Sequence, residues 1–77
     1  MALSHFISGD MTKDLKSRGL SYTDVARWIF RKYNKNFDKS TIGRAVKAES
    51  VTETSNEIRG FAAELISEVD QGKVVGL

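Results

Sequence analysis

Seventy-seven residues, 40% apolar and 29% charged, suit a single helical domain with one core and exclude both a second core and a disordered chain. Cysteine and proline are absent, so neither a disulfide nor a thiolate metal site supplements that core. No basic-then-apolar leader and no apolar run near the roughly 20 residues of a membrane span is present, so the expectation is a cytoplasmic chain without a membrane partner.

The net charge of +2 conceals a division along the chain. From Arg27 to Lys47 seven basic residues face the single acid Asp38, a local charge of +6, whereas from Glu49 to Asp70 six acids face only Arg59, a local charge of −5. A basic segment of this kind suits phosphates, and its acidic neighbour would be repelled by them. The two parts are therefore expected to have different roles.

Apolar residues recur at three- and four-residue spacing rather than alternating, which predicts an all-α fold of four or five helices. In the first helix Ile7, Met11 and Leu15 share a face, and Gly19, preceded by Lys16 and Arg18, marks its end. The second opens with a Ser21/Asp24 capping box and a Leu20/Val25 staple. Its apolar face is Val25, Ile29 and Tyr33, flanked by Ala26, Trp28 and Phe30, and Asn34 to Asn36 form the turn that follows.

Asp38 is the expected N-cap of the third helix, with Phe37 and Ile42 as its staple. Ile42, Ala45 and Val46 face inward, leaving a polar and basic strip of Lys39, Ser40, Gly43, Arg44 and Lys47. A Thr54/Glu57 capping box opens the last helix, an amphipathic element at about 55–71 carrying Ile58, Phe61, Ala62, Leu65, Ile66 and Val69, with Gly72 as its stop. The terminal stretch from Lys73 to Leu77 reads either as a frayed tail or as a strap over an apolar surface.

Two capped helices joined by a short turn, with Val25, Ala26, Ile29, Phe37, Ile42 and Val46 inward, meet the requirements of a helix-turn-helix over about 21–48. Leu15, Lys16, Arg18, Gly19, Leu20 and Ser21, followed by Val25 and Ala26 and later by Phe37 to Ile42, resemble the helix-turn-helix of phage regulators of the Cro and cI type. That resemblance covers roughly residues 7 to 48 and implies that Asp38 to Ser40, Gly43, Arg44 and Lys47 face DNA. Ala26 and Phe37 stand eleven positions apart, more than the family's usual spacing, and the usual turn glycine is missing. An extended second helix follows, and the longer variants of transposase and centromere-binding domains remain open.

The functional expectation is a transcriptional regulator of double-stranded DNA, acting as a repressor at a promoter, with no cofactor and no enzymatic activity. Arg44 is the leading base reader, because its planar fork matches the O6 and N7 acceptors of guanine, with Lys39, Ser40, Thr41, Gly43 and Lys47 beside it. Ser21, Tyr22, Arg27, Arg31, Lys32 and Lys35 are the expected phosphate contacts. The competing reading of such lysines and arginines is a merely solvated face.

His5 alone makes no metal set, Asp10 and Asp14 have no nucleophile or base beside them, and Trp28 and Tyr33 are expected in the core. Phe61, Leu65 and Val69 form a candidate face for a homodimer, against which stands packing of that face within the domain. A second functional reading, motivated by the acidic last helix, is a protein-interaction module that antagonises another regulator or the polymerase.

Overall fold

The computed structural model describes residues 10–73, and over them the fold is all-α. Four helices follow one another: α1 Thr12–Lys16, α2 Tyr22–Tyr33, α3 Lys39–Val46 and α4 Glu53–Asp70. Ile7 and His5 lie outside the described residues, as does most of the Lys73 to Leu77 segment.

Just ahead of the short α1, whose N-cap is Met11, the Asp10 carboxylate accepts the Thr12 N–H at 2.8 Å. Met11 and Leu15 are buried as their spacing predicts, and the Met11 N–H donates to the Val46 carbonyl at 2.9 Å, tying the start of α1 to the end of α3. Gly19 stops the helix at φ +72°, where the left-handed backbone lets the Leu20 N–H reach back to the Leu15 carbonyl.

The α2 capping box is present in full, with the Ser21 hydroxyl accepting from the Asp24 N–H and the Asp24 carboxylate accepting from the Ser21 N–H. The helix ends at Asn34, which takes the left-handed conformation at φ 57° that asparagine tolerates. A five-residue connection, 34–38, leads into α3. Asp38 occupies the N-cap position of α3, but its side chain makes no capping hydrogen bond, so only half of that expectation holds.

α4 begins earlier than the Thr54/Glu57 pairing predicts. Thr52 is the N-cap, accepting from the Ser55 N–H at 3.0 Å while its hydroxyl bonds the Ser55 hydroxyl. Ser55 is buried, so tertiary packing selects this pair over the equally plausible one two residues on.

The core gathers Met11 and Leu15 of the α1 region, Val25, Trp28 and Ile29 of α2, Ile42, Ala45 and Val46 of α3, and Ile58, Ala62, Leu65 and Ile66 of α4. Ala26, Phe37, Phe61 and Val69 pack on its edge. Leu65 is 0% exposed, which corrects the expectation of a Phe61–Leu65–Val69 dimer face: its central residue is already inside the domain. Tyr33 is also displaced from the expected core. It is 38% exposed, with its ring stacked on Phe61 at 4.6 Å and its hydroxyl donating to Glu64.

Candidate nucleic-acid interface

α3 has two clearly different sides. Ile42, Ala45 and Val46 are fully buried, which fixes the helix on the core, while Lys39, Ser40, Arg44 and Lys47 are exposed and Thr41 is half-buried. The exposed set contains one planar bidentate donor, two ammonium groups and a hydroxyl, a combination able to meet base edges and phosphate oxygens. Among the described residues, none of Lys39, Arg44 and Lys47 is paired with a carboxylate.

Gly43 does not belong to that exposed set. It is buried beneath the Tyr22 ring, and a Cβ added there would lie 3.2 Å from Tyr22 Cε2. The missing side chain admits an aromatic ring of the protein itself, which corrects the expectation that Gly43 contacts DNA. Tyr22 is held at its other edge as well, with its hydroxyl 3.3 Å from the Thr12 hydroxyl and the Lys47 ammonium 5.9 Å from its ring centroid.

The cations of α2 and of the connection that follows it divide into engaged and free. The Lys32 ammonium contacts both Glu64 and Glu68 of α4 and lies 5.1 Å from the centroid of the Trp28 ring. Hydrogen bonds that it donates to Glu64 and then Glu68 raise its pKa well above the ordinary lysine value, and the bond from Lys32, followed by that from Tyr33, holds Glu64 below the ordinary glutamate value. Lys35 is paired with Glu57. Lys32 and Lys35, expected as phosphate contacts, thus already meet carboxylates of α4 in the folded chain.

Arg31 is exposed and, among the described residues, has no ion pair. Arg27 makes only a loose contact with Asp24 at 3.9 Å. Ser21 is committed to its capping box, where bonding to its backbone and side chain keeps the Asp24 carboxylate below its ordinary pKa. At the far end of α4, the Asp70 carboxylate accepts two hydrogen bonds from the Nε–Nη2 edge of Arg18, at 2.7 and 2.8 Å, which lowers the Asp70 pKa and raises that of Arg18. Glu57, Glu64, Glu68 and Asp70 are thus engaged within the fold, and among the described residues the cations left unpaired include Lys13 and Lys16 of α1, Arg31 of α2, and Lys39, Arg44 and Lys47 on and just after α3.

Two grooves meet at Tyr22. One is lined by Thr12, Leu15, Lys16, Leu20, Ser21, Tyr22, Lys39 and Lys47. The other lies over α3 between Tyr22, Lys39, Ser40, Gly43, Arg44, Lys47 and Glu49. Sequence reasoning missed the α1 residues Thr12 and Lys16, because nothing local shows that α1 lies beside α3. It also missed Arg59, a buried residue whose guanidinium donates to the Ala45 carbonyl at 3.3 Å, the Ser50 carbonyl at 3.0 Å and the Asn56 side chain. Read from sequence, Arg59 is one basic residue among acids; in the fold it holds the α3–α4 connection.

Among the described residues, no three His, Asp or Glu side chains gather as a metal set, and no helix is long and apolar enough to cross a membrane. Compared with known protein families, with curated proteins and with solved structures, the chain matches none. The Cro and cI resemblance accordingly rests on the short motifs that carry it.

Proposed function

We propose that this protein is a sequence-specific regulator of double-stranded DNA, placing α3 in the major groove as the second helix of a helix-turn-helix and repressing by occupying a promoter. The observation that carries this reading is the division of charge after folding. α4 neutralises Lys32 and Lys35, while Arg44, Lys39 and Lys47 stand exposed and unpaired, among the described residues, on a helix whose opposite side is anchored in the core. An anchored helix with a protruding polar face satisfies the mechanical requirement for groove entry.

Arg44 is assigned the base contact, with Ser40 and Thr41 beside it, and Arg31 and Arg27 the backbone contacts on the flank. The rival reading, an interaction module acting through an acidic helix, loses support because Glu57, Glu64, Glu68 and Asp70 already have partners within the chain. Selection from random duplex DNA with the purified protein tests the proposal. It predicts an enriched motif whose binding weakens steeply with salt, as expected when several phosphates are neutralised. Weak binding to every duplex alike, with no enrichment, refutes it.

A further inference from the structure

We infer that the groove between α1 and α3 is a docking slot for one sugar–phosphate strand of the duplex, and that Lys39 and Lys47 belong to this slot rather than to base reading. The inference rests on the DNA-binding reading above and assigns its backbone contact.

Three features of the groove point the same way. Its walls come from separate elements: Lys16 from α1, and Lys39 and Lys47 from α3. All three lysines are exposed and, among the described residues, none is held by a carboxylate. The floor is apolar, made by Leu15, Leu20 and the ring of Tyr22, and two hydroxyls, those of Thr12 and Tyr22, lie 3.3 Å apart beside it. An apolar floor with a cationic rim suits the amphipathic wall of a nucleic-acid strand, whose deoxyribose is largely apolar and whose phosphate is anionic. Among the described residues no carboxylate lines this groove, and Glu49 edges the neighbouring one.

Helix geometry then separates two roles on α3. Lys39, Gly43 and Lys47 are four residues apart and share a face, the one that lies against Tyr22. Ser40 and Arg44 form the next row, turned by about 100° per residue away from it. The row facing Tyr22 leans toward α1 and grips the strand, while the Ser40/Arg44 row is left to the base edges. Gly43 is what makes the slot fit, because it lets the Tyr22 ring sit flush against α3 and form the floor.

The test uses Lys16→Ala and Lys47→Ala in the full chain, each titrated with the enriched duplex and with a scrambled duplex at several salt concentrations. Both lysines are exposed, and thermal melting of each variant checks that the fold is retained. Each substitution is expected to weaken binding to both duplexes by the same factor, leave the preferred sequence unchanged, and reduce the slope of log affinity against log salt by about 0.9. If the parent binds with specificity but either variant keeps its affinity and slope, or changes the preferred bases, the slot is overturned and the DNA-binding reading survives. If the parent itself shows no specific binding, that reading falls and the slot falls with it.

Discussion

Arg59 brings a charge into the core of a chain that has little core to spare. The residue is 4% exposed, and its guanidinium donates to the Ala45 and Ser50 carbonyls and to Asn56 while its Nε has no partner. Carbonyl dipoles at the end of α3 and in the connection to α4 therefore stabilise the cation in place of a carboxylate. Arg59→Met keeps much of the side-chain volume but removes the hydrogen bonds that this charged donor makes to Ala45, Ser50 and Asn56, and is expected to cost roughly 2 to 3 kcal/mol in urea unfolding. A variant as stable as the parent contradicts this role. Nothing in the sequence around Arg59 distinguishes it from a solvated residue on an acidic helix. Its burial depends on where α3 ends, and that end depends on Ala48, which takes φ 60° where a glycine would have been a readable signal. Gly43 misleads in the opposite way: its position on the outer strip was legible, but the ring that fills its space comes from Tyr22, twenty-one positions earlier.

At the scale of elements, the signals that were legible act within one turn. Gly19, the Ser21/Asp24 box and Asn34 each set a helix boundary through bonds to residues no more than five positions away, so the sequence alone places those boundaries. The contact that α2 and the connection after it make with α4 has no such local signature. Lys32 with Glu64 and Glu68, Lys35 with Glu57, and Tyr33 with Glu64 and Phe61 join residues 22 to 36 positions apart. From the sequence, the same lysines look available to phosphate.

This contact makes a pH prediction. Glu64, Asp24 and Asp70 all have folded pKa values held below their ordinary ones by hydrogen bonds, led by those from Lys32, the Ser21 backbone and Arg18 respectively. A depressed carboxylate contributes stability that is complete above its unfolded pKa, near 4 to 4.5, and is lost as the pH falls through the lower folded value. The melting temperature is therefore expected to hold between pH 7 and 5 and to fall below about pH 4.5. Glu64→Gln should melt about 2 to 5 °C lower at pH 7 and show a shallower fall in acid, as suits a partly exposed ion pair. An acid transition of unchanged steepness in this variant contradicts the assignment to Glu64.

Across the whole molecule, folding sorts the charge that the sequence displays as two blocks. The acidic block lies against part of the basic one, and the unpaired remainder of the basic block is left on α3 and the outer side of α2. The helical class and most of the core were legible, because periodic apolar residues report burial directly. Which cations remain available was not, since that depends on the packing of α4. The Phe61–Leu65–Val69 row failed as a dimer face for a related reason, because a periodic apolar row looks the same whether its partner is a second copy or the chain's own core. A palindromic selected motif would thus point to a two-fold dimer built through a different surface.

The central claim is that α3 reads bases through Arg44. Its most direct measurement is the specificity ratio, affinity for the selected duplex over affinity for a scrambled one, compared between the parent and Arg44→Ala at one fixed salt concentration. Loss of a bidentate contact to guanine predicts a ratio reduced by roughly 5- to 150-fold, the equivalent of 1 to 3 kcal/mol, with a much smaller change in affinity for the scrambled duplex. An unchanged ratio, or an equal loss on both duplexes, contradicts the account and makes Arg44 a backbone contact.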